Sequence, residues 1–297
     1  FTPQRKRELE ERFKELLNLK EEDIKTIGGI LQLQINTALF YHLTQDYKKS
    51  LQMLLRNLAE YEKHPEFMES NLMNYAVVIS NVMQIATNGG DKALFTSMIH
   101  KAESLPLTDP QVKAFVIQQL FHSQMLFAVK NGWTEQGLLL AKAYADTALP
   151  FLETEDRMWL LYCQLLLAWN YFSATYWDEC HDMLNRILSK RWKERPDMVA
   201  ATQVLQCLYH AETKNFGVLP SLVLSTRRSL KKLGYMSKEF SELFVLLLQY
   251  EKQTGRQIIM AWRNWLDNYV SMEPNISPIF NLINLKFWVE NKIKSRS

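Results

Sequence analysis

Glycine and proline are scarce, nine of each in 297 residues. Little of the chemistry that bends or breaks helices is therefore available. Cysteine is scarcer still. Cys163, Cys180 and Cys207 are odd in number and form no spaced motif. That argues against a secreted disulfide framework and fits a reducing, cytoplasmic compartment. No apolar run approaches the ~18 residues that a membrane-spanning helix needs. The longest, such as Leu243 to Leu248, are far shorter. Charge of one sign is also missing. The net charge of +3 is too mild to demand nucleic acid or an anionic membrane as partner. The chain opens FTPQRKRELE, with neither an initiator Met nor a signal-peptide pattern. The expectation is a piece of a longer protein, whose preceding part could hold a targeting signal or a further domain.

What is present is helix-forming. Leu, Glu, Lys, Gln, Ala and Met dominate, and no segment alternates with period two. Helices are predicted over Pro3–Leu19, Asp23–Leu43 (interrupted at Gly28-Gly29), Tyr47–Glu62 and Glu66–Thr87. Others follow Asp91, Pro110, Thr134, Thr154 or Asp156, Trp177, Pro196, Pro220, Ser237, Gln257 and Ser277. The expected fold class is all-α with about fourteen helices in one domain over 1–297. Residues 1–20 form a leading helix, 21–235 repeated hairpins, and 236–297 a divergent hairpin with a terminal capping helix.

The best hairpin is Ala168 to Ile187. Ala168 and Tyr171 share one face of its first helix. Trp177, Cys180, Leu184 and Ile187 share one face of its second. Similar openings of a second helix stand at Tyr47, Gly90, Trp133, Trp177 and Phe216, separated by 43, 43, 44 and 39 residues. A near-constant period of this size marks a helical repeat array. A small or polar residue precedes the last long side chain of the first helix, as in Ala38 before Tyr41, Ala168 before Tyr171 and Cys207 before His210. Ser50, Ala93, Gln136, Cys180 and Leu219 stand three after the anchors.

This pattern resembles the tetratricopeptide repeat (TPR), a two-helix unit. The likeness lies in Tyr41, Asp46, Tyr47 and Ser50, and in Ala168, Tyr171, Trp177 and Cys180. It spans about Ile30 to Leu233. The period near 43 exceeds the family's 34, and the family's early Trp and closing Pro are mostly missing. A further stretch resembles a region shared by large bacterial TPR-like proteins of uncharacterised activity. It holds His210, Glu212, Asn215, Phe216, Ser225, Arg228, Leu230, Lys231 and Lys232. The resemblance implies a right-handed α-solenoid of antiparallel hairpins. It also implies a non-catalytic scaffold that binds a protein or peptide in a concave groove. Carried over by position, the groove candidates are Asn36, His42, His122, Trp169, Phe172 and Glu212. Trp169 and Phe172 can equally be core, since large aromatics mostly pack.

Motifs for chemistry are few. His42, His64, His100, His122, His181 and His210 make no H-E-x-x-H, and no Cys pair has zinc spacing, so no metal or cofactor is expected. No phosphate-cradling loop or nucleophile elbow is present. Glu153, Glu155 and Asp156 cluster where a helix starts, which the helix dipole explains. Lys190, Arg191, Lys193 and Arg195 surround Trp192, and Arg227, Arg228, Lys231 and Lys232 form i,i+4 pairs. The dipole accounts for cations at helix ends. An acidic protein or RNA, with Trp192 as a stacking platform, is the functional alternative. His210, Glu212 and Arg228 are candidates for a hydrogen-bonded cluster within one hairpin. Two other functions remain open: a sensing array attached to an upstream DNA-binding or enzymatic domain, and an all-helical enzyme with a deep pocket.

Overall fold

The computed structural model describes residues 3–145, 157–249, 256–270 and 282–296. Among these the chain is all-α, with fifteen helices and no strand. It divides into two compact units, Phe1–Ser123 and Gln124–Ser297.

In the first unit α1 (Pro3–Asn18) packs on α2 (Ile27–Leu43). α2 forms a hairpin with α3 (Tyr47–Lys63), which also contacts α4 (Pro65–Ser70) and α5 (Leu72–Gly89). α5 pairs with α6 (Lys92–Glu103). α7 (Pro110–Asn131) begins in this unit, and its Gln119 Oε1 accepts a hydrogen bond from Ser80 of α5 at 2.7 Å. The second unit continues with α8 (Thr134–Ala145), α9 (Arg157–Ser173), α10 (Trp177–Leu188), α11 (Pro196–Glu212) and α12 (Leu219–Lys232). α13 (Lys238–Gln249), α14 (Arg256–Val270) and α15 (Leu285–Arg296) complete it. Within each unit, helices adjacent in sequence pack on one another, as in a solenoid.

Local chemistry sets the boundaries. Thr26 caps α2 by accepting from Gly29 N at 3.1 Å, so the glycine pair lies in the first turn and the helix starts late. Asp46 and Asp91 cap α3 and α6 from Lys49 N and Leu94 N. Asp109 accepts from Gln111 N at 2.7 Å and Val112 N at 3.1 Å at the head of α7. The long helix expected over Glu66–Thr87 is broken at Asn71. The Asn71 side chain donates to the Phe67 carbonyl at 2.9 Å, and the Ser70 hydroxyl donates to Glu66 and Phe67. These side chains compete for the carbonyls that would continue the helix. The expected openings at Thr154, Asp156 and Ser277 lie outside the described residues.

The repeat is a repeat of turns. Six helices end on a left-handed residue: Gln45 (φ 64°), Gly90 (67°), Gly132 (67°), Thr175 (61°), Lys214 (58°) and Gly234 (75°). After each, the next N–H donates to the carbonyl five residues back. Asp46 reaches Tyr41 at 2.8 Å. Asp91 to Ala86, Trp133 to Ala128, Tyr176 to Tyr171, Asn215 to His210 and Tyr235 to Leu230 all measure 2.9 Å. This is the Schellman closure, which satisfies carbonyls that the helix end leaves open. The first five left-handed residues lie 45, 42, 43 and 39 apart.

That geometry corrects the register read from sequence. Gly90 is the left-handed residue itself, so it matches Gln45, and Asp91 is the counterpart of Asp46. Trp133 likewise matches Asp46 rather than Tyr47. In this frame Ser50, Phe95, Gly137, Cys180 and Leu219 occupy one position, and all are buried. Ala93 and Gln136, expected there, are exposed. Eight residues before each closing N–H stand Ala38, Met83, Met125, Ala168 and Cys207, also buried. These two positions meet inside the hairpin: the Ser50 hydroxyl donates to the Ala38 carbonyl at 2.9 Å.

The terminal helix packs firmly on one side and leaves Lys286 and Lys294 exposed. Leu285 and Val289 of α15 are fully buried, and Trp288 stacks edge-on against Trp262 of α14 at 5.2 Å. Asn284, just before α15, donates to the carbonyls of Val129 at 2.9 Å and Lys130 at 3.0 Å. Its side-chain oxygen accepts from Phe287 N at 3.0 Å. One residue thus caps the end of α7 and the start of α15.

Candidate functional site

A groove of about 290 Å³ opens in the first unit between α2 and α5, floored by Ala38, Ser50 and Leu54. Asn36, Leu39 and His42 line it from α2, and Asn81, Gln84 and Ile85 from α5. Two of the sequence candidates, Asn36 and His42, are therefore together in one cavity. The His42 ring meets Tyr47 edge-on at 5.5 Å. Asn36 and Asn81 are half-buried, and among the described residues neither carboxamide has a hydrogen-bond partner. Each keeps two donors and an acceptor to offer. Leu39 adds apolar surface at 48% exposure. No carboxylate, Lys or Arg lines the groove.

Asn81 and Gln84 escape a sequence reading that anchors the second repeat on Gly90. In the register of the turns, Asn36 and Asn81 both stand ten residues before the closing N–H. They are the same position in successive repeats.

The other candidates lie in different surroundings. His122, on α7, is half-buried, and burial holds its imidazole down to a pKa of about 4. It is neutral at pH 7. Trp169 is 1% exposed and packs on Phe172 at 5.5 Å. As a groove residue it is corrected to core, because the hairpin closes over it. Phe172 is buried too, but one edge reaches a second cavity, of about 200 Å³. Glu212 lines that same cavity with Trp177, Phe287, Trp288 and Lys292. The Glu212 carboxylate accepts from the Trp288 indole N–H at 2.8 Å and forms an ion pair with Lys292. Both charged side chains are largely enclosed, at 11% and 20% exposure. Glu212 is thus engaged by α15 of its own chain.

The expected cluster of His210, Glu212 and Arg228 does not assemble. Glu212 is turned to α15, Arg228 is exposed, and His210 packs edge-on against Tyr209 at 5.1 Å. On its other face Tyr209 is stacked by His181 at 5.5 Å. Burial, then the nearby His181, holds the His210 imidazole below its ordinary value.

Trp192 is no stacking platform. It is buried, and its indole N–H donates to the Ile187 carbonyl at 2.7 Å, closing the end of α10. Lys190, Arg191, Arg227, Arg228, Lys231 and Lys232 are all exposed. The three cysteines are buried, with no disulfide among the described residues, and burial pushes the Cys180 and Cys207 thiols up to about 12. Such thiols stay protonated and unreactive. Among the described residues, no group of three His, Cys, Asp or Glu could share a metal ion, and no helix is long and apolar enough to cross a membrane.

Compared with protein-family models, with curated proteins and with solved structures, the chain finds no match.

Proposed function

We propose that this chain is a non-catalytic, TPR-like scaffold that binds a peptide segment of a partner protein in the groove between α2 and α5. The observation that carries this reading is the pair Asn36 and Asn81. Two equivalent carboxamides on the first helices of successive hairpins face one groove, and their hydrogen bonds are unspent. A carboxamide can bond the N–H and the C=O of one extended residue together, and this needs no particular side chain on the ligand. Leu39 and Ile85 supply apolar contact, and the uncharged lining favours a segment whose central residues are uncharged. The recurrent turns support a repeat array of the kind the TPR-like pattern implies. Cys163, Cys180 and Cys207, buried and with no disulfide among the described residues, suit a reducing, cytoplasmic compartment.

The test is a random peptide library displayed on phage and panned against the whole chain. Enriched peptides should carry an uncharged centre with an apolar anchor. Each of Asn36→Ala and Asn81→Ala should weaken them about tenfold, since a carboxamide makes up to two hydrogen bonds at ~0.5–1.5 kcal/mol each. No enrichment, or peptides that bind the double variant as well as the parent, would end this reading.

A further inference from the structure

Charge is unevenly spread along the chain. Between Thr213 and Lys238 stand six cations and no acid, although the whole protein carries only +3. Most of that charge lies on α12. Leu219, Val223, Thr226 and Leu230 form its buried face. At 100° per residue, Leu224, Arg228, Lys231 and Lys232 fall on the side away from it and Arg227 on the flank, and all five are exposed. Leu224 is 51% exposed on that side, with Arg227, Arg228 and Lys231 three, four and seven residues on.

Structural duty does not account for the arrangement. The helix dipole favours cations only within the last turn, which holds Lys231 and Lys232. Arg227 and Arg228 lie a turn earlier. Among the described residues none of the four cations forms an ion pair, whereas Lys49, Arg56, Lys63, Lys101 and Arg195 elsewhere each meet a carboxylate. Four cations on one side, unpaired among the described residues, repel one another. The exposed Leu224, one turn before them on the same side, adds apolar surface that water does not favour.

We propose that this face of α12 is a docking surface for an acidic amphipathic helix of a partner protein. Arg227 with Lys231, and Arg228 with Lys232, form two rows of cations four residues apart, a rise of about 6 Å along the helix. Carboxylates at i and i+4 of a facing helix have the same rise, so both rows can be paired along their length. An apolar side chain one turn beyond the partner's acidic rows covers Leu224, setting an apolar contact beside the charged pairs as in a protein interface. A nucleic acid would use the cations but has no need of the leucine, and with Trp192 buried the nearby basic cluster offers no indole for bases to stack on. This surface is separate from the groove between α2 and α5, and either can fail without the other.

The experiment measures fluorescence anisotropy of the full chain with two probes. One is a synthetic helical peptide with Glu at i,i+4 on two rows and Leu one turn beyond them. The other is a ~20-nucleotide single-stranded DNA. The peptide should bind at about 50 mM salt and weaken steeply by about 200 mM. Arg228→Glu with Lys231→Glu should reduce its affinity about tenfold or more, and Leu224→Ala several-fold. The same peptide with Gln for Glu should not bind. All these positions are exposed, so unchanged circular dichroism and melting will show that the variants fold; Arg228→Gln with Lys231→Gln gives a milder second pair. Absence of peptide binding, binding indifferent to the charge reversals, or DNA binding that exceeds the peptide's and ignores Leu224→Ala would each overturn the proposal.

Discussion

Replacing Gly137 by alanine should destabilise the protein, against the usual trend. In a helix interior, alanine normally gains about 1 kcal/mol over glycine. Gly137 sits in the first turn of α8, buried, at the position that Ser50 and Cys180 hold in other repeats. A Cβ there would overlap the Asn170 side-chain oxygen and stand 2.9 Å from Asn170 Cγ and 3.1 Å from Ala128 Cβ. Asn170 would have to turn away. It is buried, and its amide donates to the Leu166 carbonyl at 2.8 Å. Breaking that bond leaves a buried polar group unsatisfied, at ~1–3 kcal/mol, and overpacking adds ~1–3 kcal/mol. Subtracting the propensity gain leaves a loss of about 1–5 kcal/mol, or a fall of about 2–20 °C in Tm for a unit of this size. Thermal and urea melts followed by circular dichroism measure it. Gly89→Ala is the control: nothing stands within 4 Å of its Cβ, so it should be neutral or slightly stabilising. Asn170→Ala placed in the Gly137→Ala background should cost less than Asn170→Ala alone. Melts in which Gly137→Ala equals or exceeds the parent would refute the packing account.

Ala168→Trp should cost ~3 kcal/mol or more, because Ala168 is fully enclosed where the hairpin's helices meet; an unchanged Tm would contradict it. Thr175→Gly should stabilise by about 1 kcal/mol, since a β-branched residue is held at φ 61°. A melt showing a loss there would mean that the threonine side chain contributes more than its strain costs. His122 should make stability fall with acid. Its folded pKa of about 4 lies below the ordinary 6.5, so the unfolded chain takes the proton first. The stabilisation is complete above pH 6.5 and is lost as pH falls towards 4, at up to about 1.4 kcal/mol per pH unit. An NMR titration of its ring protons, and a flatter stability profile for His122→Leu over that range, check this.

Much of the fold is legible in the sequence because its signals are local. Asp46, Asp91 and Asp109 stand before apolar-periodic runs, and each caps a helix. Asn71 is also local, but it competes with a strong helical pattern and looks like surface. The turns are harder. Glycine marks only some of the left-handed residues, and Gln45, Thr175 and Lys214 are not read as such from residue type. Their conformation is imposed by the helices that must pack on either side. That one-residue ambiguity displaced the register around Gly90 and Trp133, and it concealed Asn81 as the counterpart of Asn36. Aromatic residues mislead for another reason. Trp169 and Trp192 carry no local sign of which side of the helix pair will be covered, and both are buried. The role of α15 is non-local: Glu212 and Lys292 lie 80 residues apart, so nothing near either predicts their pairing.

Asn284 has a bearing on how the second unit folds. In an ideal repeat array each hairpin touches only its neighbours, so folding can start anywhere and spread one repeat at a time. The bonds from Asn284 to Val129 and Lys130 join points more than 150 residues apart. They couple α7 to α15 over everything made between them. Such contacts raise the contact order and bear the entropy of closing a long loop. During synthesis, the end of α7 must wait until α15 has emerged before its last carbonyls are capped. Until then the surface around Gly132, where the Phe287 ring lies, is open. The unit should therefore gain its cooperativity late, in a single closing step, rather than accumulate it hairpin by hairpin.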